Sequence, residues 1–344
     1  MTVGIGVIGV GQVGTRRAAL AAGSPRSKLV MVADMDETRA RDVAAAHRCA
    51  RSTDWREVVA HPGVDAVVVS TVNKFLAPIT IAALEAGKHV LCEKPLGRSY
   101  QEAAEMVAAA RQRQRILKVG FTLRFHPGLR QAHAICQSGD IGPLFFVRAV
   151  YGHGGRPGYD QEWRGDADLA GGGELLDQGV HLLDLSRWFL GDFQEVMGVT
   201  PCWFWDVAPL EDNAFVLLRT ALGQVASLHT SWTQWRNNFS FEVYGRDGYV
   251  RVEGLGGSYG QETLTVGRRR PESGPPEEQY FVHDGPDRSW EADWSDFLDA
   301  IETGRPPAAG GDDGLAVMRL VQAVYDAART SAGFVRVRDS GAST

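Results

Sequence analysis

The run Gly9-Val10-Gly11-Gln12-Val13-Gly14 stands between an apolar stretch, Ile5–Val10, and a helix-like one, Gly14–Ala22. Glycines at this spacing suit a dinucleotide. The first makes a tight turn, the second admits a pyrophosphate to the backbone, and the third lets helix and strand pack closely. The helix N-terminus then offers N–H groups and partial positive charge to the phosphates. Twenty residues past Gly14 comes Asp34, at the end of a second strand, where a carboxylate can accept hydrogen bonds from ribose hydroxyls. The same charge repels a 2′-phosphate. Met35 and Asp36 follow it directly, and Arg39 is a helical turn further on. NAD is therefore expected in preference to NADP.

A second group of residues suits proton and oxygen chemistry. The strand-like His89–Glu93 runs into Lys94-Pro95. Ligands of open α/β sheets sit beyond the carboxyl ends of the strands, so Lys94 is expected near a bound nicotinamide. Pro95 restricts the backbone just before it, and the Lys94–Pro95 bond can be cis or trans. In the helix-like stretch Glu174–Leu190, Asp177 and His181 are four apart and Asp184 follows. On an α-helix that spacing puts Asp177 and His181 on one face. A histidine moves protons near neutral pH, and a neighbouring ammonium tunes it or holds a substrate oxygen.

The elements that must position these groups follow from the apolar pattern. Ile5–Val10, Leu29–Asp34, Val64–Thr71, His89–Glu93 and Ile116–Thr122 are short β-type runs. Helix-like Gly14–Ala22, Glu37–His47, Pro78–Ala86 and Ser99–Gln112 separate them. Continuous apolar strands alternating with helices predict a doubly wound parallel sheet over residues 1–122. From 123 to 344 the rhythm changes. A helix follows Pro127, then a strand over Leu144–Tyr151, a loop over 152–173, and the Glu174–Leu190 helix. Strands and turns predominate from Val196 to about Val282, with a hairpin at Gly245-Arg-Asp-Gly248. Helices Trp290–Glu302 and Gly311–Ser331 close the chain. An open, mostly antiparallel sheet in an α+β domain is expected there. The overall class is α/β.

Composition narrows the function. The 344 residues carry a formal net charge of −6, and Arg268-Arg269-Arg270 is the longest basic run, so nucleic acid is not an expected partner. Cys49, Cys92, Cys136 and Cys202 show no C-x-x-C spacing, and no metal site is indicated. No apolar run approaches the length of a bilayer span, and the N-terminus has no signal-peptide pattern. The expected location is the cytoplasm.

Together, the glycine turn, Glu93-Lys94-Pro95 and Asp177-Gln-Gly-Val-His181-Leu-Leu-Asp184 resemble the glucose–fructose oxidoreductase / inositol dehydrogenase / rhizopine-catabolism (Gfo/Idh/MocA) family. The resemblance extends to Gly120-Phe-Thr-Leu-Arg-Phe-His-Pro127, Gly245-Arg-Asp-Gly248 and Asp312–Ala328. It implies that Lys94, Asp177 and His181 form the catalytic set. His181 would be the base for a hydroxyl proton, Lys94 would hydrogen-bond the reacting oxygen, and Asp177 would orient the substrate. It also implies cofactor contacts at Gly9, Gly11, Gln12, Val13, Gly14, Asp34, Met35, Thr71, Val72, Asn73, Glu93 and Lys94. Ala77 stands where the family often has a histidine. A dimer or tetramer through the C-terminal sheet is implied as well, and Trp203, Trp205, Trp232 and Trp235, expected on strands, would serve subunit contact.

The loop before Asp177 carries Trp163 and Arg164, side chains suited to sugar rings and anionic groups. With Arg124 at the crossover they are the expected substrate contacts, beside Lys94, Asp177 and His181. The expected activity is an NAD-dependent dehydrogenase interconverting a secondary alcohol and a ketone on a sugar, amino sugar, nucleotide sugar or cyclitol, at a site between the domains. The alternatives are an oxidoreductase of a non-sugar, a non-catalytic NAD(H) sensor, and, as in some relatives, hydrolysis or elimination with tightly held NAD.

Overall fold

The computed structural model describes residues 2–330 and 333–338; the helix end expected at Ser331 lies outside the described residues. The chain divides into two units. The first contains the described residues up to Phe121, together with Asp168–Gly171 and Trp290–Met318. The second contains Thr122–Ala167, Gly172–Ser289 and the described residues from Arg319 onward.

In the first unit, β1 (Val3–Ile8), β2 (Ser27–Ala33), β3 (Ala50–Ser52), β4 (Ala66–Val69), β5 (His89–Cys92) and β6 (Leu117–Val119) form one sheet, ordered β3-β2-β1-β4-β5-β6. Every pairing is parallel. Strands β1 and β4 are buried at every position, which is why their text is continuously apolar. Strand order reverses between β1 and β4, the switch point where such sheets take dinucleotides. Helices Gln12–Gly23, Glu37–His47, Leu76–Glu85 and Tyr100–Arg113 supply crossovers. Asp36 caps the second of these by accepting from the Thr38 and Arg39 amides, and Ser99 caps the last. Strand β3 and the helix Trp55–Ala60 were not expected; three and six residues are too few for a period to show.

The expected division into 1–122 and 123–344 differs from this arrangement in two later segments, Asp168–Gly171 and Trp290–Met318, which pack with the first unit. Trp294, Phe297 and Leu298 complete the apolar cluster of Ile5, Val7 and Leu29, each worth about 1.5–3 kcal/mol when fully buried. Asp293 and Asp296 supply countercharge to Arg17 and Lys118, both fully buried cations. A buried cation needs such a partner. The pairs span 276 and 178 residues of chain, beyond any local pattern.

The second unit is built on a nine-stranded sheet of β7 (Leu144–Gly152), β8 (Phe193–Val199), β9 (Asn213–Thr220), β10 (Val225–Ser231), β11 (Asn238–Gly245), β12 (Gly248–Glu253), β13 (Glu262–Arg268), β14 (Glu277–His283) and β15 (Val335–Arg336). The order is β14-β13-β12-β11-β7-β10-β9-β8-β15, antiparallel except for β7 with β10. The expected Gly245–Gly248 hairpin joins β11 to β12, with Tyr244 facing Tyr249. Helices Pro127–Ser138 and Val180–Leu190 pack on the sheet. The first begins with Pro127 at its opening turn and ends at Gly139 in the left-handed region. Phe145, Phe146, Val199, Phe215, Tyr280 and Val282 remain exposed.

The tryptophans expected on strands lie elsewhere. Trp203, Trp205 and Trp235 are in loops and Trp232 follows β10. Trp232 is fully buried, whereas Trp203 and Trp235 are 66% and 63% exposed. The cause is Asp212, whose carboxylate collects the N–H groups of Trp203, Phe204 and Trp205 and so curls the chain into a tight loop. Among the described residues no helix is long and apolar enough to cross a membrane.

Candidate active site

The glycine turn joins β1 to the helix Gln12–Gly23. Gly9 has φ +82°, and a Cβ there would lie 2.7 Å from the Ser70 carbonyl oxygen. At Gly14 a Cβ would lie 1.8 Å from the Gly9 oxygen, so helix and strand can approach only because both are glycine. Gly11 differs: a Cβ would meet nothing within 4 Å. The helix starts there with no side chain capping it. Open space beside an uncapped N-terminal turn is what a pyrophosphate requires.

Asp34 ends β2 half-buried. Its Oδ2 accepts from the Val10 amide at 2.8 Å and its Oδ1 from the Asp36 amide at 2.9 Å. These bonds fix the carboxylate beside the glycine turn, and each oxygen has a further lone pair for a ribose hydroxyl. Arg39, the nearest cation along the chain, pairs with Asp36. Met35 next to it is 82% exposed. The residues present therefore fit an NAD-type dinucleotide.

Other expected contacts are differently employed. Thr71 donates from Oγ1 to the Val72 carbonyl at 3.2 Å. Asn73 is buried, and its Nδ2 donates to the Ala170 carbonyl at 2.9 Å, so this amide holds the segment Asp168–Gly171 within its unit. Lys74 and Arg98 grip the same segment at Asp168. Beyond β5, the Glu93 amide donates to Val69 and its buried carboxylate receives Arg17. Lys94 follows, half-buried, and the Lys94–Pro95 bond is cis.

In the second unit the stretch expected as one α-helix has two parts. Leu175–Gly179 is a π turn, and the α-helix proper is Val180–Leu190. Asp177 thus sits on the wider turn and His181 on the α-helix, correcting the simple α spacing expected of them. Fewer degrees are turned per residue in a π turn, which brings residues four apart closer to alignment; such turns recur at functional sites. The Glu211 carboxylate secures the start of this turn by accepting from the Leu175 amide at 3.0 Å and from the Tyr325 hydroxyl at 2.8 Å.

Arg164 donates from Nε to Asp177 Oδ2 at 2.9 Å and lies 4.5 Å from the Trp163 ring centroid, so Trp163, Arg164 and Asp177 are brought together. Burial alone would lower the Arg164 pKa, but Asp177 beside it more than offsets this and holds the guanidinium charged. His181 is buried with its ring 6.1 Å from Tyr151, whose ring is 5.4 Å from Tyr259; Gln178 donates to the Tyr259 hydroxyl at 3.1 Å. Burial, reinforced by Asp177 and Glu174, pushes Tyr151, Tyr159 and Tyr259 upward, so their hydroxyls stay protonated donors. Tyr151 and Tyr259 were missed, whereas Tyr159 stands in the loop before Asp177 whose aromatic side chains suit a sugar ring. Tyr151 closes the expected Leu144–Tyr151 strand, but no local pattern shows that it meets residues far along the chain.

Arg124 has a partner inside its own unit. It was a candidate substrate contact, yet it is buried and forks onto Asp184, Nε to Oδ2 at 2.7 Å and Nη2 to Oδ1 at 2.6 Å. A bidentate pair of this kind ties the crossover to the Val180–Leu190 helix. Among the described residues no group of three or more His, Cys, Asp or Glu side chains is placed to hold a metal ion.

Comparison with known proteins is consistent along most of the chain. Residues 3–121 match the model of an oxidoreductase family with an NAD-binding Rossmann fold, and residues 129–251 match the GFO/IDH/MocA C-terminal domain. The chain is 33% identical to 1,5-anhydro-D-fructose reductase of Ensifer adhaerens, covering 81% of each protein. It is 29% identical to levoglucosan dehydrogenase of Pseudarthrobacter phenanthrenivorans, spanning 58% of each. A solved levoglucosan dehydrogenase, in complex with NADH and levoglucosan, superposes with a TM-score of 0.89 over 98% of this chain and 100% of that one at 23% identity, a likeness of fold.

Proposed function

This chain belongs to the Gfo/Idh/MocA oxidoreductases, and from that premise we propose that it is an NAD-dependent dehydrogenase interconverting a secondary alcohol and a ketone on a sugar, amino sugar, nucleotide sugar or cyclitol. The observation that carries this reading is the pairing of an open Gly11 with a fixed Asp34 carboxylate, joined to a Lys94 and His181 that the family's chemistry would use. NAD, when bound, accepts the hydride. His181 takes the hydroxyl proton, Lys94 donates a hydrogen bond to the oxygen becoming a carbonyl, and Asp177, held by Arg164, orients the neighbouring hydroxyls. Preference for NAD over NADP follows from Asp34 and from the pairing of Arg39 with Asp36. The exposed Phe146, Phe215, Tyr280 and Val282 support assembly with a second copy through the open sheet.

The test is a panel of myo-inositol and levoglucosan with NAD, and 1,5-anhydro-D-fructose with NADH, followed by NADH absorbance. Lys94→Ala and His181→Ala should each lower kcat by about 10²-fold or more while NADH fluorescence still reports binding. Wild-type turnover in both variants would refute the assigned roles. NADH binding without turnover of any panel member would favour a sensor.

A further inference from the structure

Arg17 lies one helical turn past Gly14, on the face that also buries Ala18 and Ala21. It is fully buried. Its Nε donates to Glu93 Oε1 at 2.7 Å, its Nη1 pairs with Asp293 Oδ2 at 2.6 Å, and the guanidinium stands 4.5 Å from the Trp290 ring centroid. Glu93 is confined from two further directions. Its amide donates to the Val69 carbonyl at 2.9 Å, and its carboxylate lies so close over Gly120 that a Cβ there would be 2.3 Å from Oε2. Lys94 is the next residue. Glu93 and Lys94 are joined by one peptide group just past the end of β5, so whatever fixes Glu93 constrains the backbone from which the Lys94 side chain leaves.

We infer that Arg17 is a positioning residue for Lys94, acting through the Glu93 carboxylate and thereby linking the helix of the dinucleotide turn to the reacting lysine. This rests on the reading of Lys94 given above. A guanidinium that bonds one carboxylate, pairs with a second and lies over an aromatic ring cannot be replaced by a point charge without loosening the geometry. Displacement of a reacting group by as little as about 1 Å costs up to about 10²-fold in rate.

The experiment uses the full chain and the variants Arg17→Lys, Glu93→Gln and Lys94→Ala. Two readouts are taken: turnover of whichever panel polyol the wild type oxidises, and the pH dependence of acylation by acetic anhydride, mapped by mass spectrometry at Lys28, Lys74, Lys88, Lys94 and Lys118. In Arg17→Lys and Glu93→Gln, kcat should fall by about 10-fold or more with little change in KM for NAD, and the acylation midpoint of Lys94 should move while Lys28 and Lys88 stay put. Arg17→Lys should add no further loss in the Lys94→Ala background. Folded variants with unchanged kcat and unchanged Lys94 acylation overturn the inference. Loss of the fold in both variants overturns it too, because the pair would then be structural. Wild-type turnover in Lys94→Ala would instead bring down the functional reading, and the acylation profile would still decide the role of Arg17.

Discussion

Two clusters of buried carboxyl groups, one in each unit, are partnered in opposite ways. In the first, Asp293 and Asp296 meet the cations Arg17 and Lys118 inside the fold, with contacts of 2.6–3.0 Å. In the second, Glu211 meets a tyrosine hydroxyl and backbone N–H groups. The consequence is a difference in preferred charge. Burial pushes Asp296 upward, but Lys118 and the hydrogen bonds around it win and hold it below the ordinary range. Burial pushes Glu211 upward, and its hydrogen bonds do not reverse this. The surroundings of Asp296 thus favour its ionised form, whereas those of Glu211 favour its protonated form.

Breaking an ion pair inside the first unit should have the largest effect. Asp293→Asn leaves Arg17 and Lys118 short of countercharge and should cost about 3–5 kcal/mol in urea denaturation. A loss under 1 kcal/mol would show that the two clusters are energetically alike.

Glu211→Gln mimics the protonated acid and should change stability by about 1 kcal/mol or less near neutral pH. The pH profiles sharpen the contrast. The stability that Asp296 contributes is present above the ordinary aspartate value of 3.8 and lost as pH falls through its lower folded value. Glu211 acts with the other sign: its folded form holds a proton that the unfolded chain releases from 4.5 upward, so stability declines as pH rises through its raised folded value. Asp296→Asn should remove the acid-side loss, and Glu211→Gln should flatten the later decline. Parallel profiles for both variants and wild type would contradict the difference between the units.

The smallest effect is kinetic. Cys202 is exposed and should react first with a thiol reagent. Cys92 in the first unit and Cys136 in the second are buried, and burial pushes both thiols up to about 12. Their labelling in rising urea should report the opening of each unit separately, and labelling of both in the native protein would contradict the burial described.

Much of this was legible in the amino-acid text. Helix Glu37–His47 appears as expected, because Asp36 gives a local cap signal, and the strands β1 and β4 announce themselves by apolar runs buried on both faces. Strand β14 did not. Its text, Glu277–His283, is mostly exposed at the sheet's edge and lacks an apolar alternation. Within the candidate site, the glycine turn and Asp34 depend on short spacings and could be found. Arg17 left a weaker sign, a charged residue at the helical spacing of a buried face. Its meaning depends on Asp293, which no local window contains. The pairing of Arg124 left no sign for the same reason, since its partner Asp184 lies 60 residues away.

The π turn at Leu175–Gly179 has a consequence at the level of the gene. It holds more residues per turn than the α-helix that continues it, so deleting one codon there would let ordinary helical bonding run through. Val180–Leu190 is anchored by Asp184 to Arg124 and would stay in place. A codon lost between Asp177 and His181 would leave the two three residues apart instead of four and shift Asp177 relative to His181 by about 100°, the angle between successive residues of an α-helix. Deletion scanning should therefore find this turn intolerant of a single lost residue. The exposed loop over residues 271–275 should absorb the same loss, since no strand register depends on it.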